Sequence, residues 1–359
     1  MLFPIITLLA ILLLLNLTLL VSLNKLFVPE NITSSYVNIS IIVAAKNEED
    51  NIKNLISHLK SLEYPSEKYE VILVDDNSID DTYNLIKELI ISLPNFRVLT
   101  TNISHLSGKR EALFLGIQSA KYPFIMITDA DCYPDSNWLK SFSEKFNQGF
   151  EMVVGAAPFY QSKNLVNQIS CFENLKSSFL SFAMWSLGLP YTATARSFGF
   201  TKKVFESIGG YSNTKDTKSG DDDLLLREAI KKKIKIGVVT EANSFVYSKT
   251  KNNFQDYLQQ KARHTQTSFY YLKIHKLILG FWHLLNLFFL FSPFLMILNP
   301  LFGILLPSKL LIDLLVTKAM QMRFSYNFSI VDILYFQILY EVLLIVHLIN
   351  SRFSEIKWK

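Results

Sequence analysis

The middle of the chain alternates two kinds of pattern. Short apolar runs rich in β-branched residues, "ISIIVAA" from Ile39, "YEVILVDD" from Tyr69, "FRVLT" from Phe96 and "FIMIT" from Phe124, lead into polar turns and read as strands. Between them, Ile52, Leu55, Ile56, Leu59 and Leu62, then Tyr83, Ile86, Leu89 and Ile90, recur at helical spacing, and a further helix is expected from about Gly108 to Ala120. "EMVVGAAP" from Glu151 gives a fifth strand. Strands alternating with helices predict a mostly parallel sheet covered on both faces. Beyond it the pattern is irregular: Leu165 to Leu189 is a largely apolar helical stretch interrupted by Glu173 and Lys176, read as core or membrane-surface packing.

Both ends lose the alternation. Met1 to Leu23 carry no charged side chain, which matches the roughly 20 apolar residues of a membrane-crossing helix. A cleavable leader has a charged start and an apolar stretch of about 7–15 residues, so residues 1–24 are expected to be a retained anchor. Leu277 to Leu298 and Leu301 to Val316 flank Asn299-Pro300, a tight-turn pair, and predict a membrane hairpin over 277–316. The last apolar run, 328–349, contains Asp332, Glu341 and His347. An acid near the bilayer centre costs about 2.5–3.5 kcal/mol, so this run is expected either to span or to be re-entrant.

The 50% hydrophobic and 19% charged composition averages over these two populations. Lys25, Lys318 and Arg323 place the central domain, residues 36–268, on the cytoplasmic side of a multi-pass protein of the cell (inner) membrane. Arg352, Lys357 and Lys359 make 351–359 a basic tail on the same side. A net charge of +5 suits an anionic membrane face. No arginine-rich stripe with interleaved aromatics points to nucleic acid. Cys132 and Cys171 have no metal-binding spacing and give no disulfide framework. No Gly-x-Gly-x-x-Gly follows the first strand, which removes a dinucleotide fingerprint.

In a parallel sheet, ligands bind beyond the carboxyl ends of the strands. Those ends carry Lys46, Asn47 and Glu48, then Asp75 and Asp76, then Asp129 and Asp131. Surface loops produce Asp-x-Asp freely, but at a strand end in a cleft two carboxylates can hold Mg2+ or Mn2+ with positions left for a pyrophosphate. Asp75 and Asp76 alone would read as a polar turn closing a strand. Lys109 lies near a helix start, where backbone N–H groups favour anions. Together the three clusters point to a phosphate-bearing nucleotide. In "SGDDDLLLREAI" three consecutive carboxylates repel one another, and a helix N-terminus offsets that by only about 0.3–1 kcal/mol each. Asp221 or Asp222 can serve as an acidic cap; crowding also raises one carboxylate's pKa toward that of a general base, expected at Asp222.

"IIVAAKNEE", "VILVDDNSIDDT", "SGKREAL", "ITDADC", "GDDDLLL" and "QKARH", in this order, resemble the family-2 inverting glycosyltransferases with a GT-A fold, over roughly Asn38 to Thr267. The membrane-flanked layout resembles the cellulose-synthase-like and ceramide-glucosyltransferase-like branches. The resemblance implies an α/β, Rossmann-like, mostly parallel GT-A sheet flanked by transmembrane helices. It implies that Ala44, Glu48 and Asp76 line a nucleoside pocket, that Lys109 lies near the nucleotide, and that Asp129 faces the nucleotide sugar and Asp131 the metal, Mg2+ or Mn2+. It places the base at Asp222, or at Asp221 under a second alignment. Gln260, Arg263 and His264 match a Gln-x-x-Arg-Trp box beside the acceptor and diphosphate, with His264 in place of tryptophan.

The implied reaction moves a sugar from a nucleotide-diphosphate sugar, expected to be a UDP-sugar, to a membrane lipid or lipid-linked glycan with a β-linked product. The alternatives are a processive polysaccharide synthase, which the few apolar segments and His264 disfavour, and a catalytically silent nucleotide-sugar binder.

Overall fold

The computed structural model describes residues 2–27, 35–101, 109–214, 217 and 220–353. Gly108, at the expected start of one helix, and Lys357 and Lys359 of the basic tail lie outside the described residues. After α1 (Leu2–Leu26) the chain runs through β1 (Ile39–Ala45), α2 (Glu49–Lys60), β2 (Tyr69–Asp75), α3 (Thr82–Ile90), β3 (Phe96–Thr100), α4 (Arg110–Ser119) and β4 (Phe124–Asp129). Then come β5 (Cys132–Pro134), α5 (Trp138–Asn147), β6 (Met152–Gly155) and α6 (Leu165–Ser186). Next are β7 (Phe198–Thr201), α7 (Lys202–Ser207), α8 (Asp221–Lys231), β8 (Ile236–Val239) and β9 (Val246–Ser248), followed by the C-terminal helices.

The main sheet has the order β3-β2-β1-β4-β7-β6-β8. The pairs β1–β2, β1–β4, β2–β3 and β6–β8 are parallel, as the alternating pattern predicts. Every residue of β2 is buried, which is why it reads as a continuous apolar run rather than an alternating one. β7 runs antiparallel to both β4 and β6. This reversed strand is four residues long and contains Gly199, where a Cβ would crowd Phe142, Phe146 and the Ile125 carbonyl. β5 and β9 form a separate antiparallel pair.

From β1 the chain steps outward to β2 and β3, then returns to add β4 on the other side of β1. The two directions of winding part between β1 and β4, the place where such sheets open a crevice at their carboxyl ends. Register puts the site residues there: Ala44 pairs with Asp129, and Ala45 with Asp75.

A second compact unit gathers α1, the segment Gln161–Tyr191 and the chain from Thr250 to the end of α12. Its C-terminal part holds α9 (Phe254–Ser268), α10 (Lys273–Phe291), α11 (Leu305–Met320) and α12 (Ile330–Phe353). Phe3–Leu26, Lys273–Ile297, Pro300–Phe324 and Ile330–Phe353 are long and apolar enough to cross a membrane. The Asn299-Pro300 turn separates the second and third, with the Asn299 side chain accepting from the Leu301 N–H at 2.9 Å.

The third C-terminal stretch is one continuous helix of 24 residues. Its acids do not carry the full cost expected of them. Asp332 closes a reciprocal cap with Ser329, each backbone N–H donating to the other's side chain. Glu341 is buried 3.3 Å from Lys309, which also sits 2.5 Å from Asp313, and Lys176 of α6 lies 3.7 Å from Asp313. The cost expected of Glu341 applies to an unpaired carboxylate; here a buried cation accompanies it. α6 is likewise core, with Glu173 set 2.7 Å from Lys261 and 2.9 Å from His347 Nε2. Burial alone would raise Glu173, but Lys261 and His347 hold it down to about 2.

Candidate active site

The loops after β1 and β2 are tied together. Asn47 and Asn77 adopt φ values of 54° and 53°, a left-handed conformation that asparagine tolerates. The Asn47 N–H donates to Ser78 Oγ at 3.0 Å, the Ile79 N–H to Asn47 Oδ1 at 2.9 Å, and the Glu48 N–H to Thr82 Oγ1 at 2.8 Å. Glu48 is thereby held buried at the start of α2, where its carboxylate accepts from Asn51 Nδ2 at 2.7 Å. The Asp76 N–H donates to the Ala45 carbonyl at 2.8 Å, which fixes its side chain at the sheet rim. That carboxylate takes the Thr101 hydroxyl at 3.0 Å and Lys46 Nζ at 3.4 Å.

At the end of β4, ligand atoms of Asp129, Asp131 and Cys132 all lie within 4.8 Å of one another. Burial, and then the charges of Asp131 and Asp129, push the Cys132 thiol well above its ordinary value. The thiol stays protonated, so the donors this set offers are two carboxylates, which suit a hard, oxygen-preferring divalent cation. Lys109, at the start of α4, reaches into the same place, with its Nζ 2.8 Å from Asp129 and 3.6 Å from Asp221. Burial would lower the lysine, but Asp129, Asp221 and Asp222 together raise it above its ordinary value, so it is a fixed cation.

Gly220 takes φ 70° as the residue before α8, which sets Asp221, Asp222 and Asp223 on the helix's first turn. The three acids have different partners. Asp221 faces Lys109. Asp223 accepts from the Thr192 hydroxyl at 2.7 Å and the Ala193 N–H at 2.9 Å. Asp222 accepts from the Ala195 N–H at 2.6 Å. Burial, then Asp223 and Asp221, push Asp222 up to about 8, with Lys109 pulling the other way.

The sheet unit thus brings Ala44, Glu48, Asp76, Lys109, Asp129, Asp131, Asp221 and Asp222 to one end of its strands. Gln260, Arg263 and His264 lie on α9, in the helical unit. In that unit Lys261 of the same run pairs with Glu173, and the Arg263 Nε is buried without a partner. Sequence reasoning missed the Thr192–Ala195 segment that cradles the acids and the Lys46–Asp76 pair. Apart from its polar character, "TATARS" carries no signal that would have marked it.

Residues 40–209 match the family model for glycosyl transferase family 2. The chain is 37% identical over 110 residues to a beta-monoglucosyldiacylglycerol synthase of Nostoc sp., a match covering 31% of this chain and 24% of that one. It is 33% identical over 154 residues to a poly-beta-1,6-N-acetyl-D-glucosamine synthase of Staphylococcus aureus, covering 42% and 36%. The matched regions therefore span less than half the length of these relatives. Among solved structures, a mannosyltransferase of Pyrobaculum calidifontis in complex with GDP-Man and Mn2+ aligns over 98% of this chain and 99% of its own, with a TM-score of 0.62 and 14% identity. The fold is GT-A, as the motifs imply.

Proposed function

We propose that the protein is a membrane-bound inverting glycosyltransferase, which transfers a sugar from a nucleotide-diphosphate sugar, a UDP-sugar, to a lipid or lipid-linked glycan. One observation carries this reading: Asp222, a carboxyl raised to about 8, is oriented by the Ala195 N–H beside a lysine shared by Asp129 and Asp221. A base near neutral pH, next to the acids of a cation site, is what proton removal from an acceptor hydroxyl requires.

In this mechanism Glu48 and Asp76 accept from the nucleoside, and Ala44, small and at a strand end, leaves room for it. Asp129 orients the donor sugar and Lys109 keeps that carboxylate in place. Asp222 removes the proton from the acceptor hydroxyl as its oxygen attacks the anomeric carbon from the face opposite the leaving diphosphate. The carbon–oxygen bond to the diphosphate breaks in the same displacement, so an α-linked donor yields a β-linked product. Asp131 and Asp129 would hold Mg2+ or Mn2+, which when bound supplies charge neutralisation for the leaving group. Gln260, Arg263 and His264 serve the acceptor and diphosphate, and Asp221 pairs with Lys109 rather than acting as the base. The catalytic domain, residues 36–268, faces the cytoplasm, on the strength of Lys25, Lys318 and Arg323.

The Nostoc relative's name supports a lipid acceptor. The Staphylococcus relative's name favours a second reading, processive synthesis. Release of nucleoside diphosphate by the detergent-purified protein, across UDP- and GDP-sugars with Mg2+ or Mn2+ and extracted lipids, tests the proposal. Turnover with one donor, abolished by chelation, is expected; silence across all donors and lipids would sink it, and a long linear product would favour the synthase.

A further inference from the structure

Arg196 stands in the turn that holds the acids, and no step above uses it. Its backbone carbonyl accepts the Thr128 hydroxyl at 2.8 Å, one residue before Asp129, and its neighbour Ala195 holds Asp222. Its Nη1 donates to Ser248 Oγ at 2.6 Å, and its guanidinium lies 4.5 Å from the centre of the Phe159 ring. Ser248 is the cross-strand partner of Cys132, the residue after Asp131. The side chain is therefore pinned from two sides, in the turn whose backbone also holds Asp222.

It has no carboxylate partner among the described residues, whereas Lys46, Arg97, Lys109 and Arg227 each have one. A half-buried guanidinium stacked on a ring and anchored by one hydroxyl keeps most of its donor fork unspent. Planar, pre-oriented donors of this kind match a phosphate, which they bind through paired, charge-assisted hydrogen bonds.

We propose that Arg196 binds a phosphate group of the substrates at this site. The proposal rests on the glycosyl-transfer reading and extends it, because the phosphate is either the donor's diphosphate or a phosphate on the lipid acceptor. A structural staple between the Arg196 turn and β9 is the competing role, and Ser248→Ala separates the two: it removes the staple's hydroxyl and leaves the guanidinium in place.

The test uses the full-length protein in nanodiscs, with Arg196→Gln, Arg196→Lys and Ser248→Ala beside the wild type and Asp222→Asn as a variant expected to bind but not turn over. Titration calorimetry measures binding of UDP and GDP with Mn2+, and vesicle co-flotation measures binding to an isoprenoid phosphate against diacylglycerol. If the donor supplies the phosphate, Arg196→Gln weakens nucleoside diphosphate binding by roughly tenfold or more, with Arg196→Lys between. If the acceptor supplies it, that loss falls on the isoprenoid phosphate alone. Ser248→Ala stays within about threefold of the wild type, and thermal unfolding shows each variant folded. Changes below about twofold in both arms for Arg196→Gln, or equal losses in Arg196→Gln and Ser248→Ala, overturn the proposal. A wild type that binds no nucleoside diphosphate overturns the glycosyl-transfer reading itself, and Arg196's role with it.

Discussion

Lys109 Nζ lies 2.8 Å from the Asp129 carboxylate while also sitting 3.6 Å from Asp221, so one cation spans the acid at the end of β4 and the first acid of α8. Lys109→Met removes the charge that Asp129, Asp221 and Asp222 share. The donor KM is expected to rise by roughly tenfold or more, since a charge-assisted contact of this kind is worth about 1.5–3 kcal/mol. Because Lys109 also lowers Asp222, its loss moves the acid limb of the rate profile to higher pH. Steady-state kinetics across pH measures both; an unchanged limb would separate Lys109 from the base.

Asp222 predicts that limb in the wild type. As the proposed base it works deprotonated, and its value is raised to about 8, so kcat/KM should climb about tenfold per pH unit below that value and level off above it. A cation bound between Asp129 and Asp131 would pull the midpoint down. Asp222→Asn is expected to cost about 10²–10⁴ in turnover while leaving nucleotide binding intact. A loss confined to Asp221→Asn would transfer the role to that neighbour.

Asp131→Asn should abolish the response to Mg2+ or Mn2+, and chelation should bring the wild type to the same background. Cys132→Ser is expected to keep the same cation preference, because the buried thiol is held protonated. Activity titrated with each metal after chelation gives the comparison; a shift in preference in Cys132→Ser would make the sulfur a ligand.

In the helical unit, Lys309→Met leaves Glu341 buried without its cation, while Asp313 keeps Lys176. Removing one partner of a buried pair costs about 3–5 kcal/mol, read as a large drop in unfolding temperature in detergent. Lys309→Met combined with Glu341→Gln should recover part of that loss. A single variant as stable as the wild type would show that the pair is solvated.

The strands that carry the site were legible because each is a buried apolar run ending in carboxylates, as in Phe124–Asp129. Asp129 could be placed from position alone, since a strand end in a parallel sheet faces the crevice. β7 was not legible: four residues with a glycine present no period to detect. The contacts that distinguish Asp222 from Asp223 were equally hidden. They come from backbone N–H groups about thirty positions earlier in the chain, and a main-chain donor leaves no trace in residue identity. Lys46 reads as one of the strand-end polar residues, but its pairing with Asp76 shows only once the two loops are seen laced together. Arg196 has no carboxylate partner among the described residues, and such an absence leaves no mark in residue identity either.

The charged pairs of α6 also set an order of events during synthesis. Glu173 meets His347 across 174 positions of chain, and Lys176 meets an aspartate on α11. At roughly 5–20 residues per second, Glu173 leaves the ribosome on the order of ten to thirty seconds before that histidine exists. Until Lys261 and Asp313 are made, a helix rich in phenylalanine carries a bare acid and a bare lysine on the side destined for the interior. A nascent chain halted before α9 therefore holds an incomplete bundle, in which those charges must be sheltered by water, lipid headgroups or a chaperone until their partners arrive.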